Sequence, residues 1–185
     1  AGWGVPGKIM DNKQPYLDQS VKSMKEIIKT AEDCGVTYCV EAVNRFETCI
    51  INTAAEALDY IARVDSPNIG VLLDTYHMNI EETSFAKAIE AVGPERLKSF
   101  HTGENNRTAP GRGHINWDEI FSSLAKIGYR GPIVSEPFVM QGGEVGRDIH
   151  VFRDLVENPC EAVIDAEAAY LLDFERNMLK KYSAD

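Results

Sequence analysis

The feature that most constrains this chain is periodic. Four short apolar segments, residues 36–43, 68–74, 97–101 and 132–136, each carry a metal-ligand type of side chain at or near the end: Glu41, Asp74, His101 and Glu136. The gaps between these four residues are 33, 27 and 35 positions, each about one strand–helix unit. Helical patterns fill the intervals. Pro15 opens a helix whose Leu17, Val21, Met24, Ile28 and Ala31 share one face, and Gly35 stands where a C-terminal glycine belongs. Thr53-Ala-Ala-Glu56 is a capping box that starts a helix turning Leu58, Ile61 and Val64 inward. Further helices are expected over 84–92, from Asn116 (with Glu119 three residues on) to Gly128, and over 145–155 and 164–180. Strands alternating with helices specify an α/β fold with a parallel sheet. In such a sheet all four marked side chains emerge at the same, C-terminal, edge.

That edge is where active sites sit in (β/α)8 barrels. A full barrel takes roughly 200–250 residues, and this sequence has 185. The expectation is therefore one domain over 1–185, the C-terminal strands and helices of a TIM barrel, with the N-terminal strands absent. Residues 1–5 offer a fifth strand. The first residue is alanine, not methionine, which fits a truncated or processed chain. A half barrel completed by a second chain, and a complete open sheet, rank behind that reading.

Composition narrows the function. Nineteen Lys and Arg stand against 29 Asp and Glu, a formal charge of −10, a field that repels a phosphate backbone and disfavours nucleic acid. No run of 18 apolar residues points to a membrane span. The four cysteines, Cys34, Cys39, Cys49 and Cys160, form no CxxC and read as free thiols of a cytoplasmic protein. No GxGxxG follows a strand, so a nucleotide cofactor has no support, and no GxSxG elbow supports a serine hydrolase. Asn106-Arg-Thr108 matches a glycosylation sequon but stands in the region of the expected pocket, and is discounted.

Three carboxylates and one imidazole form an oxygen-rich set suited to a hard or borderline divalent ion such as Mn²⁺, Co²⁺ or Mg²⁺. The plain alternative, four strand ends that merely face water, loses force when all four recur in succession. His77, three residues after Asp74, reads either as a contact near the metal or substrate or as an ordinary loop histidine. Arg107 offers a guanidinium for sugar hydroxyls, or a salt bridge to Glu104 or a neighbour. Glu47 either crosses the pocket or lies on the surface.

Several stretches make a resemblance specific: Glu-Ala-Val-Asn-Arg-Phe-Glu (41–47), Leu-Asp-Thr-Tyr-His-Met-Asn-Ile-Glu-Glu (73–82), His-Thr-Gly-Glu-Asn-Asn-Arg (101–107), Pro-Gly-Arg-Gly (110–113), Trp-Asp-Glu-Ile (117–120) and Glu-Pro-Phe (136–138). With them the sequence resembles the D-tagatose 3-epimerase and D-allulose (D-psicose) 3-epimerase family of ketose 3-epimerases over nearly its whole length. The resemblance implies an isomerase acting on a free ketose at C3, of the D-tagatose/D-sorbose or D-fructose/D-allulose type. It implies one Mn²⁺ or Co²⁺ bound by Glu41, Asp74, His101 and Glu136, with proton transfer by Glu41 and Glu136 through a metal-stabilised enediolate. Glu47, His77 and Arg107 match sugar-contacting positions, and Phe138 an apolar wall. Trp3 matches a second wall more loosely. The family's members are full barrels, usually homodimers or homotetramers.

Related barrels offer competing activities with a similar metal set, an aldose–ketose isomerase or an inosose dehydratase. A phosphodiesterase of the AP-endonuclease type would want several zinc ions, more than four histidines and a basic groove. A metal-binding fragment without activity is the remaining alternative.

Overall fold

A computed structural model describes residues 12–182. The strand suggested at residues 1–5 and Trp3 lie outside the described residues. Strands β1 (Tyr38–Glu41), β2 (Ile69–Asp74), β3 (Leu97–Thr102) and β4 (Ile133–Ser135) form one parallel sheet in sequence order. Helix α1 (Gln14–Cys34) precedes β1, and α2 (Ala54–Val64) joins β1 to β2. Helices α3 (Thr75–Glu81) and α4 (Phe85–Arg96) join β2 to β3, and α5 (Trp117–Lys126) joins β3 to β4. Helices α6 (Gly143–Asp148) and α7 (Glu161–Tyr182) follow.

Local chemistry sets most of these boundaries. Gly35 takes φ 66° and closes α1 through Ala31 and Glu32 carbonyls. The Val36 amide is used in the same cap, donating to Ala31 O at 2.9 Å. It cannot join the sheet, so β1 is shorter than the apolar run 36–43 suggested. Thr53 accepts from the Glu56 N–H, and the Glu56 carboxylate reaches back to the Asn52 N–H. Gly93 at φ 70° breaks the helical run that began at Phe85, near the expected end at 92. The helix expected over 145–155 is only Gly143–Asp148, because His150 turns to φ 64° and the chain leaves the helix. One helix was not anticipated: Asp74 caps α3 with its own side chain, accepting from the Tyr76 N–H at 2.7 Å.

The helices cover one sheet face. Val40, Val71, Leu73, Leu97 and Phe100 pack there against Ile61, Ile89, Val92, Ile120 and Phe121 in a single cluster. On the other face Val134, in register with His101, is exposed. The strand ends that carry Glu41, Asp74, His101 and Glu136 therefore stand on a rigid, helix-backed support.

Candidate metal centre

Each of the four marked side chains is placed by a strand terminus. Glu41 ends β1, Asp74 ends β2 and His101 lies in β3 in register with Asp74. Glu136 follows β4, and its N–H continues the ladder to Thr102 O at 3.0 Å. The structure brings the four together: one ligand atom from each lies within 4.8 Å of every other. Asp74 is fully buried. Its two oxygens divide their work, Oδ1 capping α3 while Oδ2 faces the cluster 4.0 Å from His101 Nδ1.

Within this cluster the proton affinities of Glu41, His101 and Glu136 are shifted. Burial, joined by repulsion from Asp74 and Glu136, pushes the Glu41 carboxyl up to about 7. His101 Nδ1 sits 3.5 Å from Glu136 Oε2. That contact raises the His101 imidazole above its ordinary value and holds the Glu136 carboxyl below the usual range. Among the described residues, Glu41 Oε1 and His101 Nδ1 are buried without a hydrogen-bond partner. Buried polar atoms are normally satisfied. A carboxylate oxygen and an imidazole nitrogen left open toward one centre, among two further carboxylates, fit a divalent cation.

Arg107 borders this group. It adopts φ 65°, a backbone conformation costly for a non-glycine residue. Its Nη1 donates to Asp74 Oδ2 at 3.2 Å and lies 3.6 Å from Glu136 Oε2. The guanidinium stacks 4.0 Å above the Tyr76 ring centroid and 5.0 Å from that of Phe138. The alternative salt bridge is met by Asp74 and Glu136 rather than by Glu104. The Glu104 carboxylate instead accepts from Trp117 Nε1–H at 2.7 Å and from the Gly111 N–H at 2.8 Å.

His77, on α3, is buried, and burial lowers its affinity for a proton. Asn44 bonds its ring at Nδ1. The Asn44 amide donates to Glu47 Oε1 at 2.9 Å through Nδ2, while its Oδ1 accepts from the Phe46 N–H. Both Asn44 nitrogens therefore present hydrogens to His77 Nδ1, at 3.2 and 2.8 Å. Nδ1 faces these donors, while Nε2 lies 3.2 Å from Nη2 of the Arg107 guanidinium and 3.7 Å from Glu41 Oε1. Glu47 lines the same cleft as Glu41. The loop that carries Asn44 and Glu47 is pinned by Arg45, whose N–H and guanidinium both bond Glu81 of α3. Phe138 is half-buried beside Arg107, to whose carbonyl its N–H donates at 2.9 Å.

Asn44, Tyr76 and Glu104 were not singled out from the sequence as parts of the site. Asn44 lies inside the 41–47 stretch, but nothing in its spacing marks it. Its role depends on His77, 33 residues away.

The fold and these strand ends define a class. The model of the xylose isomerase-like TIM barrel family matches residues 4–166, and the chain belongs to that family. Among particular relatives, the D-psicose 3-epimerase of Ruminiclostridium cellulolyticum (strain ATCC 35319 / DSM 5812 / JCM 6584 / H10) is 49% identical over 173 residues, covering 94% of this chain and 58% of that protein. The L-ribulose 3-epimerase of Methylomonas sp. (strain DH-1) is 44% identical over 119 residues, 64% of this chain and 41% of that protein. The crystal structure of D-psicose 3-epimerase with D-tagatose from Clostridium cellulolyticum H10 superposes with a TM-score of 0.87 at 49% identity, over 91% of this chain and 58% of that one. The chain thus spans less than two thirds of the length of these relatives. The resemblance to ketose 3-epimerases and the expectation of a partial barrel are both borne out.

Proposed function

We propose that this chain carries the metal-binding and proton-transferring strand ends of an enzyme that epimerises free ketoses at C3, of the D-tagatose/D-sorbose or D-fructose/D-allulose type. The observation that carries the reading is the convergence of Glu41, Asp74, His101 and Glu136, with the two glutamates on the outermost strands of the row. In this reading they hold one divalent ion, Mn²⁺ or Co²⁺, with Mg²⁺ also admissible from the oxygen-rich set. The ion, when bound, supplies a Lewis acid that draws electron density from the ketose oxygens at C2 and C3.

The protein's own groups do the rest. One glutamate removes the C3 proton, and the other returns a proton to the opposite face of the planar intermediate, so the configuration inverts. Their environments push the two carboxyls apart, Glu41 upward and Glu136 downward. Such a split separates an acid from a base, and the roles exchange for the reverse reaction. Arg107 donates to sugar hydroxyls, His77 contacts the sugar beside it, and Glu47 accepts. Phe138 forms an apolar wall. Tyr76 and Phe138 hold the Arg107 guanidinium flat, which orients its donors.

The same reading takes the chain as one structural unit that assembles into a homodimer or homotetramer in the cytoplasm. The four free cysteines support a reducing setting. No helix among the described residues is long and apolar enough to cross a membrane.

The test is incubation of the protein with D-fructose, D-allulose and D-tagatose in D₂O containing Mn²⁺ or Co²⁺, with exchange at C3 followed by NMR and products separated by chromatography. Exchange and a C3 epimer are expected. Glu136→Gln should abolish exchange while the circular dichroism spectrum stays the same. Absence of exchange with every ketose refutes the proposal.

A further inference from the structure

Helix α7 reaches the strand ends through one buried carboxylate. Glu175 is 7% exposed. Its Oε1 accepts from the Thr102 hydroxyl at 2.5 Å and from the Ser135 hydroxyl at 2.6 Å, and those two hydroxyl oxygens lie 2.6 Å apart. Thr102 and Ser135 are register partners across β3 and β4. Thr102 directly follows His101, and Ser135 directly precedes Glu136. A single acceptor from the last helix therefore ties together the two residues that neighbour two members of the metal group. The Glu136 N–H, bonded to Thr102 O, completes the same knot through the backbone.

We propose that Glu175 is a positioning residue for His101 and Glu136. It fixes the relative height of the β3 and β4 ends, and so the separation of two groups that must meet at one cation. The inference rests on the metal-dependent epimerase reading above. Side chains in a strand point alternately to opposite faces. Thr102 and Ser135 therefore point toward α7, while His101 and Glu136 point to the centre. A shift at one side of either strand end is transmitted to the other through a rigid backbone. The helix does not depend on Glu175 for its seat. Phe174 packs edge-on against Trp117 at 5.6 Å between ring centroids, Arg112 bonds Glu167 at 2.8 Å, and Lys181 and Tyr182 both bond Asp118. Removal of the carboxylate consequently loosens the strand ends before it releases the helix.

Supporting groups behind metal ligands typically change metal affinity or activity by roughly 10–100-fold when removed. The experiment measures Mn²⁺ affinity by electron paramagnetic resonance, kcat and KM for a ketose, and the melting temperature of the metal-free protein. Glu175→Ala should weaken Mn²⁺ binding and lower kcat within that roughly 10–100-fold range, with KM nearly unchanged. Glu175→Gln keeps an oxygen acceptor and should recover most of both. Ser135→Ala removes one hydroxyl from a partly buried site, and it carries the test if Glu175→Ala does not fold. A lowered melting temperature with unchanged Mn²⁺ affinity and kcat would make Glu175 a fastener of the helix only, and would overturn the proposal. Failure of the unsubstituted protein to bind Mn²⁺ instead removes the metal-dependent reading, and this inference with it.

Discussion

Replacing Glu104 with alanine should cost the protein about 3–5 kcal/mol. The residue is completely buried. Its Oε1 accepts the two short bonds, from Trp117 Nε1–H and the Gly111 N–H, while Oε2 faces the Ile115 and Asn105 N–H groups at 3.3 Å each. Hydrogen bonds to a charged acceptor contribute about 1.5–3 kcal/mol apiece, and bonds at the long end of the range add little. The two short bonds therefore set the magnitude. Alanine removes the acceptor of the buried Trp117 Nε1–H, at the start of α5, and of the Gly111 N–H. For a chain of this size, 1 kcal/mol moves the melting temperature by about 2–4 °C, so a drop on the order of 10–15 °C is expected. Urea unfolding followed by tryptophan fluorescence measures the loss, and Trp117 reports from the site itself. Trp117→Phe removes one donor and part of a buried ring, and should cost about 1.5–3 kcal/mol. In that background Glu104→Ala should cost less than it does alone, by a coupling of about 1–2 kcal/mol. A loss below about 1 kcal/mol for Glu104→Ala, or strict additivity in the double substitution, would refute the account.

Proton competition gives a second prediction. The Glu41 carboxyl at about 7 and the raised His101 imidazole both hold protons at pH 6 in the metal-free protein. Mn²⁺ affinity should rise from pH 6 to 8, and calorimetry in buffers of different ionisation enthalpy should detect proton release at pH 6; a pH-independent affinity contradicts it. Both groups bind protons more tightly folded than unfolded, so metal-free stability should fall as pH rises through the Glu41 value of about 7. Urea midpoints across that range check the sign. Gly111→Ala should destabilise by about 1–3 kcal/mol, because φ is 86° and the added methyl would stand 2.6 Å from the Phe174 ring. An unchanged melting curve would show that α7 yields there. Glu41→Asp keeps the charge but withdraws the carboxylate by about 1.5 Å. It should lower epimerisation by about a hundredfold, and wild-type turnover would break the link between reach and site.

What the sequence made legible was the part written in periodicity and caps. The four strand ends repeat at near-constant spacing, and Thr53, Asn116, Gly35 and Gly128 mark helix ends by local chemistry. Other features depend on groups distant in the chain. Helix α3 is started by Asp74, which the strand-end pattern marked as a ligand although aspartate is also a favoured cap. The early end of α6 comes from a histidine at positive φ, which no composition rule anticipates. Asn44 acquires its role only from His77, and Glu175 only from Thr102, 73 residues away. Glu104 looked like a partner for Arg107 because the two are neighbours in the chain. Folding turned its carboxylate inward to Trp117 and the Gly111 amide instead.

The order Glu, Asp, His, Glu has a geometric cause. Adjacent strands stand about 4.8 Å apart, so a flat sheet would separate the first and fourth by about 14 Å. Yet one ligand atom from each residue lies within 4.8 Å of the rest. Two things close that gap. The sheet twists and curls, as parallel sheets backed by helices do, and the longer carboxylates occupy the outer strands. Asp74 and His101 stand on the inner strands and need little reach. Glu41 and Glu136 each carry one more methylene than aspartate, and they occupy the two positions where that length counts. In the proposed reading, the same length lets each glutamate reach the ketose from its own side of the shared centre. In the proposed reading, a position that both holds a cation and moves a proton asks for a long carboxylate, and the outer two of the four described strands provide it.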